Sequence, residues 1–314
     1  MSYSKELNKH IQRKHPICEI STVMADNNRY FGHAVHFYVF VSNRLNYVIS
    51  TYKEASASRM KRENTVMMSL KNQVRSQAFM DSLLFSFEIL CIDDEYFRVQ
   101  GFVASQDLRK VFRKKSLKAI EKYLNVSFDW LSSFQGIRKK QNASHDELVK
   151  EIEEITHILS EEHTGRRWLN ELINSVSIHH WELTKGFSHG DFCFYNCLYN
   201  GCDRFLVFDW EHVSEFYWLF YDPILNVNSV WQYFFERGRV KSMYDVLILK
   251  RNEKKFEVLL SKYVDLISGK YRLSLKQFLL LSVFVFFRNQ TREGKSGVIA
   301  TKAPYIDING VLSF

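Results

Sequence analysis

Two short segments constrain this chain more than anything else in it. One is His189-Gly190-Asp191-Phe192-Cys193-Phe194-Tyr195-Asn196 and the other is Phe208-Asp209-Trp210-Glu211. They set an Asp, an Asn five residues on, and a second Asp thirteen residues after that. Asp209 ends the apolar run Phe205 to Phe208, which predicts a position at the mouth of a buried strand. The stretch between Asn196 and Asp209 reads as a hairpin that turns both segments to the same side. Phosphoryl transfer from a nucleotide uses this donor set: one carboxylate for the attacking hydroxyl, and an amide and a second carboxylate for the magnesium ions on the triphosphate. The competing account is a set of core-edge polar residues satisfied by backbone groups.

The flanking sequence predicts an α+β chain. Residues 17–24, 34–42 and 46–53 are short runs rich in β-branched and aromatic residues, and they read as an antiparallel meander. Residues 57–73 switch to helical spacing, with Met60, Met67 and Leu70 on one face. Strands are expected at 84–92 and 95–103. Beyond Val103 the spacing turns helical, over 107–124 and 145–175. In the latter, Leu148, Ile152, Ile155 and Leu159 recur at three- and four-residue intervals. Short strands at Cys197–Asn200 and Arg204–Phe208, turned by Asn200-Gly201, interrupt this region, and helices resume at 222–236, 254–268 and 272–288.

Composition narrows the class. With 46% hydrophobic and 25% charged residues, the 314-residue chain can bury a large core and is not wholly disordered. Its most apolar run, Phe278 to Phe287, is about half of what a membrane span needs, so a buried helix is expected and no transmembrane segment. The N-terminus lacks the apolar stretch of a secretory signal. Five cysteines at irregular spacing fit reduced thiols in a cytoplasm better than a disulfide framework. The net charge of +8 gathers in Arg109 to Lys115 and Arg138 to Lys140. Such runs are ordinarily solvated helix faces, and no nucleic-acid recognition motif accompanies them. His189, Cys193, Cys197 and Cys202 are soft ligands lying close together, but they lack the Cys-x-x-Cys pairs of structural zinc sites.

On the two segments quoted first, the sequence resembles the aminoglycoside phosphotransferase and choline kinase family, a branch of the protein-kinase-like fold. The resemblance implies a bilobal chain: a nucleotide-binding lobe over 1–103, with a small antiparallel sheet and one packed helix, and a larger, mainly helical catalytic and acceptor lobe over 104–314. It implies that Asp191 is the catalytic base, Asn196 a magnesium ligand and Asp209 the principal magnesium ligand, with ATP as phosphoryl donor. His189 would brace the loop, Glu211 would hold the third acidic position, and the aspartate of Tyr221-Asp222-Pro223 would tie the loop to a helix. In the first half, Lys53 ends a strand and Glu63 lies in the next helix. This is the order expected of a phosphate-binding cation and the carboxylate that holds it. The phosphate-covering loop, Ala25 to Gly32, has one glycine and departs from glycine-rich loops. Adenine is expected against Val99 to Val103, with Gln100 and Phe102 beside it.

More than eighty residues separate that hinge from His189, which favours a small-molecule hydroxyl acceptor over a protein. From His212 onward there are 15 Lys and Arg against 9 Asp and Glu. That balance leans away from cationic acceptors and toward a neutral or anionic one, such as a sugar or surface-glycan precursor. The alternatives are an aminoglycoside or choline/amino-alcohol kinase, and a catalytically inactive nucleotide-binding protein.

Overall fold

The structure, a computed structural model, describes residues 2–26, 35–51, 54–74, 87–101, 108, 112, 117–159, 163–178, 181–199, 205–210, 212–251, 254–292 and 305–306. The chain divides into two compact units, Met1–Gln106 with Leu206–Glu211, and Asp107–Phe205 with His212–Phe314.

The first unit is built on strands β1 (Ile20–Asp26), β2 (Val35–Val41), β3 (Arg44–Thr51), β4 (Phe87–Ile92) and β5 (Glu95–Gly101). They form one five-stranded antiparallel sheet in the order β1-β2-β3-β5-β4. Ser42 and Asn43 join β2 to β3, and Asp93 and Asp94 join β4 to β5, each residue at positive φ. Two consecutive left-handed residues give the tight turn whose twist matches that of the flanking strands. Alternate side chains, Phe37, Val39 and Val41 on β2, and Phe97 and Val99 on β5, are buried with Ile49 in one cluster. Helix α1 (Ser2–Lys14) closes that cluster with Leu7 and Ile11, one helical turn apart. Helix α2 (Glu54–Gln73) buries Met67 and Leu70, two of the three residues expected on one face; the side chain of Met60 lies outside the described residues. The sheet therefore packs with two helices rather than one. The sequence reading missed α1 because its apolar content is two residues in a charged run.

The second unit contains helices α3 (Leu117–Gln135), α4 (His145–Ile158), α5 (Thr164–Ile178), α6 (Tyr221–Phe235), α7 (Lys255–Tyr271) and α8 (Leu275–Arg292). The helical stretch expected over 145–175 is made of two helices. Leu159 takes an extended conformation after α4 and buries its side chain, ending the helix with a core contact. Helix α3 runs past residue 124 through Asn125-Val126-Ser127, weak helix formers overridden by the burial of Trp130, Leu131 and Phe134. Helix α8 holds the apolar run and buries Phe278 to Ser282, Val283 to Val285 and Phe287, packing against α5 and α6. Side chains buried nearly all round mark a central helix of a large core. Among the described residues no helix is long and apolar enough to cross a membrane. A three-stranded sheet that the sequence reading did not anticipate orders β10 (Ser214–Trp218), β7 (Thr184–Ser188) and β6 (Gln141–Asn142). Strands β8 (Cys197–Tyr199) and β9 (Phe205–Val207) pair as the expected ribbon, whose turn, Asn200-Gly201, lies outside the described residues.

Candidate active site

Strand β7 is buried through Gly186, Phe187 and Ser188 and delivers His189, itself fully buried, at its end. The chain must then reverse, and Gly190 does so at φ +81. A Cβ there would stand 2.3 Å from the carbonyl oxygen of His212 and 2.8 Å from its Cβ. Both the left-handed conformation and the close backbone approach therefore demand glycine. Gly190→Ala should cost about 1–2 kcal/mol for the left-handed residue and roughly 1–3 kcal/mol for the overlap. A lowered denaturation midpoint checks this; an unchanged one would remove glycine's role.

Asp222, in the first turn of α6 and fully buried, fixes the reversal from beneath. Its Oδ2 accepts from the His189 N–H at 2.7 Å and its Oδ1 from the Gly190 N–H at 2.9 Å. The helix N-terminus further favours the carboxylate. His189 Nδ1 accepts from the Asp191 N–H at 3.3 Å. The imidazole thus braces the backbone just before Asp191.

Beyond Asp191 the loop alternates inward and outward. Phe192 stacks on Trp130 of α3 with ring centroids 5.2 Å apart and planes at 8°. Phe194 lies 5.1 Å from Phe112 and 5.2 Å from Tyr233, while Tyr195 is 47% exposed. The Phe194 N–H reaches Ser229 Oγ at 3.3 Å. Ser229 sits two helical turns after Asp222 on α6, so one helix face holds both ends of the loop. The sequence reading named Asp222 and missed Ser229, although their spacing of seven carries the signal.

This anchoring brings Asp191 and Asn196 together. Asn196 is buried, and its Nδ2 donates to the Asp191 carbonyl oxygen at 2.9 Å and to Asp191 Oδ2 at 2.8 Å. Two acceptors on one nitrogen fix the amide orientation and leave Oδ1 as its oxygen donor. Asp191 itself is half-buried. Burial pushes the thiols of Cys193 and Cys197 up, so both stand as neutral small groups. Cys197 Sγ donates to the Cys193 carbonyl at 3.3 Å. Among the described residues no three His, Cys, Asp or Glu gather as a metal cluster.

Asp209 belongs to the first unit and follows β9, whose three residues are all buried. It is half-buried and holds φ +64, a left-handed conformation uncommon outside glycine though tolerated by aspartate. Trp210, fully buried, donates from Nε1 to the Val207 carbonyl at 3.2 Å and so clamps the chain on both sides of Asp209. Gln100 lies on β5 opposite Val48 and Phe87. Glu63 lies on α2, its side chain outside the described residues, as are Lys53, Phe102, Glu211, Cys202 and 27–32 of the expected phosphate loop.

No family model matches the chain, and no curated protein matches its sequence. Solved structures do match its fold. Choline kinase LicA from Streptococcus pneumoniae matches over 99% of this chain and 100% of its own, at TM-score 0.51 and 10% identity. The chain has the aminoglycoside phosphotransferase and choline kinase fold. This protein-kinase-like fold is shared with aminoglycoside phosphotransferase APH(3'')-Id from Streptomyces rimosus, which matches 90% of this chain and 97% of its own at TM-score 0.51 and 9% identity. It is shared too with an ethanolamine kinase from Plasmodium vivax, at TM-score 0.50 and 12% identity over 94% of this chain and 81% of that one. The expected small antiparallel sheet followed by a mainly helical region is the observed architecture.

Proposed function

We propose that this chain is an ATP- and Mg2+-dependent phosphotransferase that moves the γ-phosphoryl group to a hydroxyl of a small molecule. The observation that carries the reading is the Asp191–Asn196 pair, whose amide nitrogen is committed to the aspartate at 2.8 Å. That commitment leaves the amide oxygen for a hard cation, which prefers oxygen ligands. Asp209 adds a carboxylate on a backbone turn fixed at φ +64. In this reading Asn196 Oδ1 and Asp209 hold magnesium, which when bound neutralises charge on the phosphates. Asp191 orients the acceptor hydroxyl and takes its proton.

Lys53, paired with Glu63, is the cation for the phosphates, and Gln100 and Phe102 line the adenine site. Residues 1–103 then form the nucleotide lobe and 104–314 the catalytic and acceptor lobe, at work in the cytoplasm, where ATP is supplied. LicA, which shares this fold at TM-score 0.53, has been seen in complex with AMP. Phosphorylation of a metabolite panel with labelled ATP tests the reading, and magnesium-dependent transfer to a hydroxyl compound is expected. No magnesium-dependent turnover on any acceptor would leave a nucleotide-binding protein. Transfer confined to aminoglycosides or choline would replace the acceptor class.

Asp209→Asn removes one anionic cation ligand while keeping the backbone turn, since Asn tolerates the left-handed region as Asp does. It should weaken Mg-nucleotide binding about tenfold or more, an estimate taken from losses on altering metal-site partners. Nucleotide titration with and without magnesium reads the effect, and wild-type affinity would take Asp209 out of this role.

A further inference from the structure

The loop that carries Asp191 and Asn196 also carries an aromatic side chain that the proposed mechanism leaves unused. Every residue from His189 to Asn196 is described, and Tyr195 alone among them is exposed, at 47%. Phe192 and Phe194 turn into the core instead. The Tyr195 ring rests on that of Phe194, with centroids 3.8 Å apart and planes at 36°. Phe194 packs in turn on Phe112 at 5.1 Å and on Tyr233 at 5.2 Å. Tyr195 is thus backed by packed rings on one side and open on the other. Its hydroxyl has no hydrogen-bond partner among the described residues. Burial pushes the phenol up to about 12, with Glu236 adding to the shift and Arg237 opposing it, so the group is a neutral O–H.

The loop fixes where this ring stands. Tyr195 is bonded to Asn196, whose amide meets Asp191 Oδ2 at 2.8 Å. Helix α6 draws the loop out: Asp222 holds the N–H groups of His189 and Gly190, and Ser229 Oγ accepts that of Phe194. Seven residues of helix rise roughly 10 Å, so Tyr195 stands off from the turn ahead of Asp191 by an interval comparable to a substituted sugar ring. An exposed tyrosine is ordinary on a surface, but a surface role explains neither the rigid backing nor broad apolar area set beside the proposed base. Tyrosine supplies rigid contact area at low cost in side-chain entropy, with a polar tip for one hydrogen bond. A ring-shaped alcohol uses both, because its C–H face covers the phenyl ring and a substituent oxygen accepts from the O–H. A quaternary ammonium is instead enclosed by several rings, and this loop exposes one.

We propose that Tyr195 is a specificity-determining platform for the acceptor, and that the acceptor is a cyclic hydroxyl compound such as a sugar. The phenol ring packs on the acceptor's ring face and its O–H donates to one of the acceptor's oxygens, while the hydroxyl to be phosphorylated lies at Asp191. The proposal rests on the phosphotransferase reading for that last placement, and on the loop alone for the platform. It supplies a side-chain reason for choosing rings over open chains, which charge balance does not.

The test measures phosphorylation by Mg-ATP of hexoses and of the open-chain hexitols made by reducing them, in the full chain as wild type, Y195A, Y195F and Y195W. Wild type should prefer the hexoses. Y195A should raise KM for them tenfold or more and change kcat far less, Y195W should restore most of the loss, and Y195F should fall between wild type and Y195A. The hexitols should show no such dependence. A merely structural tyrosine would instead lower kcat for both acceptor types alike. Circular dichroism verifies folding, and Y195F serves if Y195A does not fold. Equal KM for hexoses in wild type and Y195A, or a preference for hexitols or for choline, would overturn the platform. A second readout needs no turnover: magnetic saturation of the protein's aromatic protons should pass to hexose ring protons in wild type and be lost in Y195A. Absence of that transfer in wild type overturns the platform too. Absence of turnover on every acceptor sinks the phosphotransferase reading instead, and the saturation transfer still judges Tyr195.

Discussion

Asp191→Asn should lose about 10²- to 10⁴-fold in turnover, the range that a positioned general base contributes, while binding nucleotide nearly as wild type. The substitution is chosen because the structure tolerates it. Asn196 Nδ2 donates to Asp191 Oδ2 at 2.8 Å and to the Asp191 carbonyl at 2.9 Å, and an asparagine oxygen can accept the first bond while the second is untouched. The Cys193 N–H also meets the Asp191 carbonyl, at 2.9 Å. The loop backbone therefore keeps its bonds, and the chemical change is loss of charge and basicity at one position. Steady-state turnover on a panel acceptor, with magnesium-dependent ATP hydrolysis as a fallback, gives the rate. Equilibrium nucleotide titration gives the affinity, and a denaturation curve matching wild type secures the fold. A variant that turns over near the wild-type rate would remove Asp191 as the base and take the proposed mechanism with it.

The loop was legible in the sequence because its chemistry is local. Asp191 and Asn196 are five residues apart, and a bond between their side chains needs only the short turn that Phe194–Asn196 makes. Helices α6, α7 and α8 were legible for a related reason: long periodic or apolar segments announce themselves. The anchoring of the loop was not legible. Phe192 stacks on Trp130, more than sixty residues earlier, and nothing in either residue's neighbourhood encodes that meeting. The continuation of α3 through Asn125 to Ser127 escaped for the same cause, since its stability comes from partners distant in sequence. Strand β10, Ser-Glu-Phe-Tyr-Trp, exists through pairing with β7, with Ser214 opposite Ser188 and Trp218 opposite Lys185.

Asp222→Ala should produce the largest loss of stability among these substitutions, and the reason is geometric. Two consecutive backbone N–H groups, of His189 and Gly190, point at the two oxygens of one buried carboxylate, at 2.7 and 2.9 Å. Alanine leaves both donors unsatisfied in a site closed to water, at about 1–3 kcal/mol each. That is a large fraction of the roughly 5–15 kcal/mol that keeps a typical protein folded. Asp222→Asn is the more telling variant. An amide presents one oxygen, so its NH2 must face one of the two N–H groups, donor against donor. It should cost about 1–3 kcal/mol, the penalty of one unsatisfied buried group, even though size and shape are kept. Turnover should fall in both variants, because the residue under strain is the one that sets the backbone ahead of Asp191. The pattern separates positioning from chemistry: Asp191→Asn loses rate without stability, and the two Asp222 variants lose both. Denaturant midpoints measured beside turnover for all three decide it. If Asp222→Asn melts with wild type, the carboxylate is not what holds the turn, and Gly190 packed against the His212 backbone must position the loop without it.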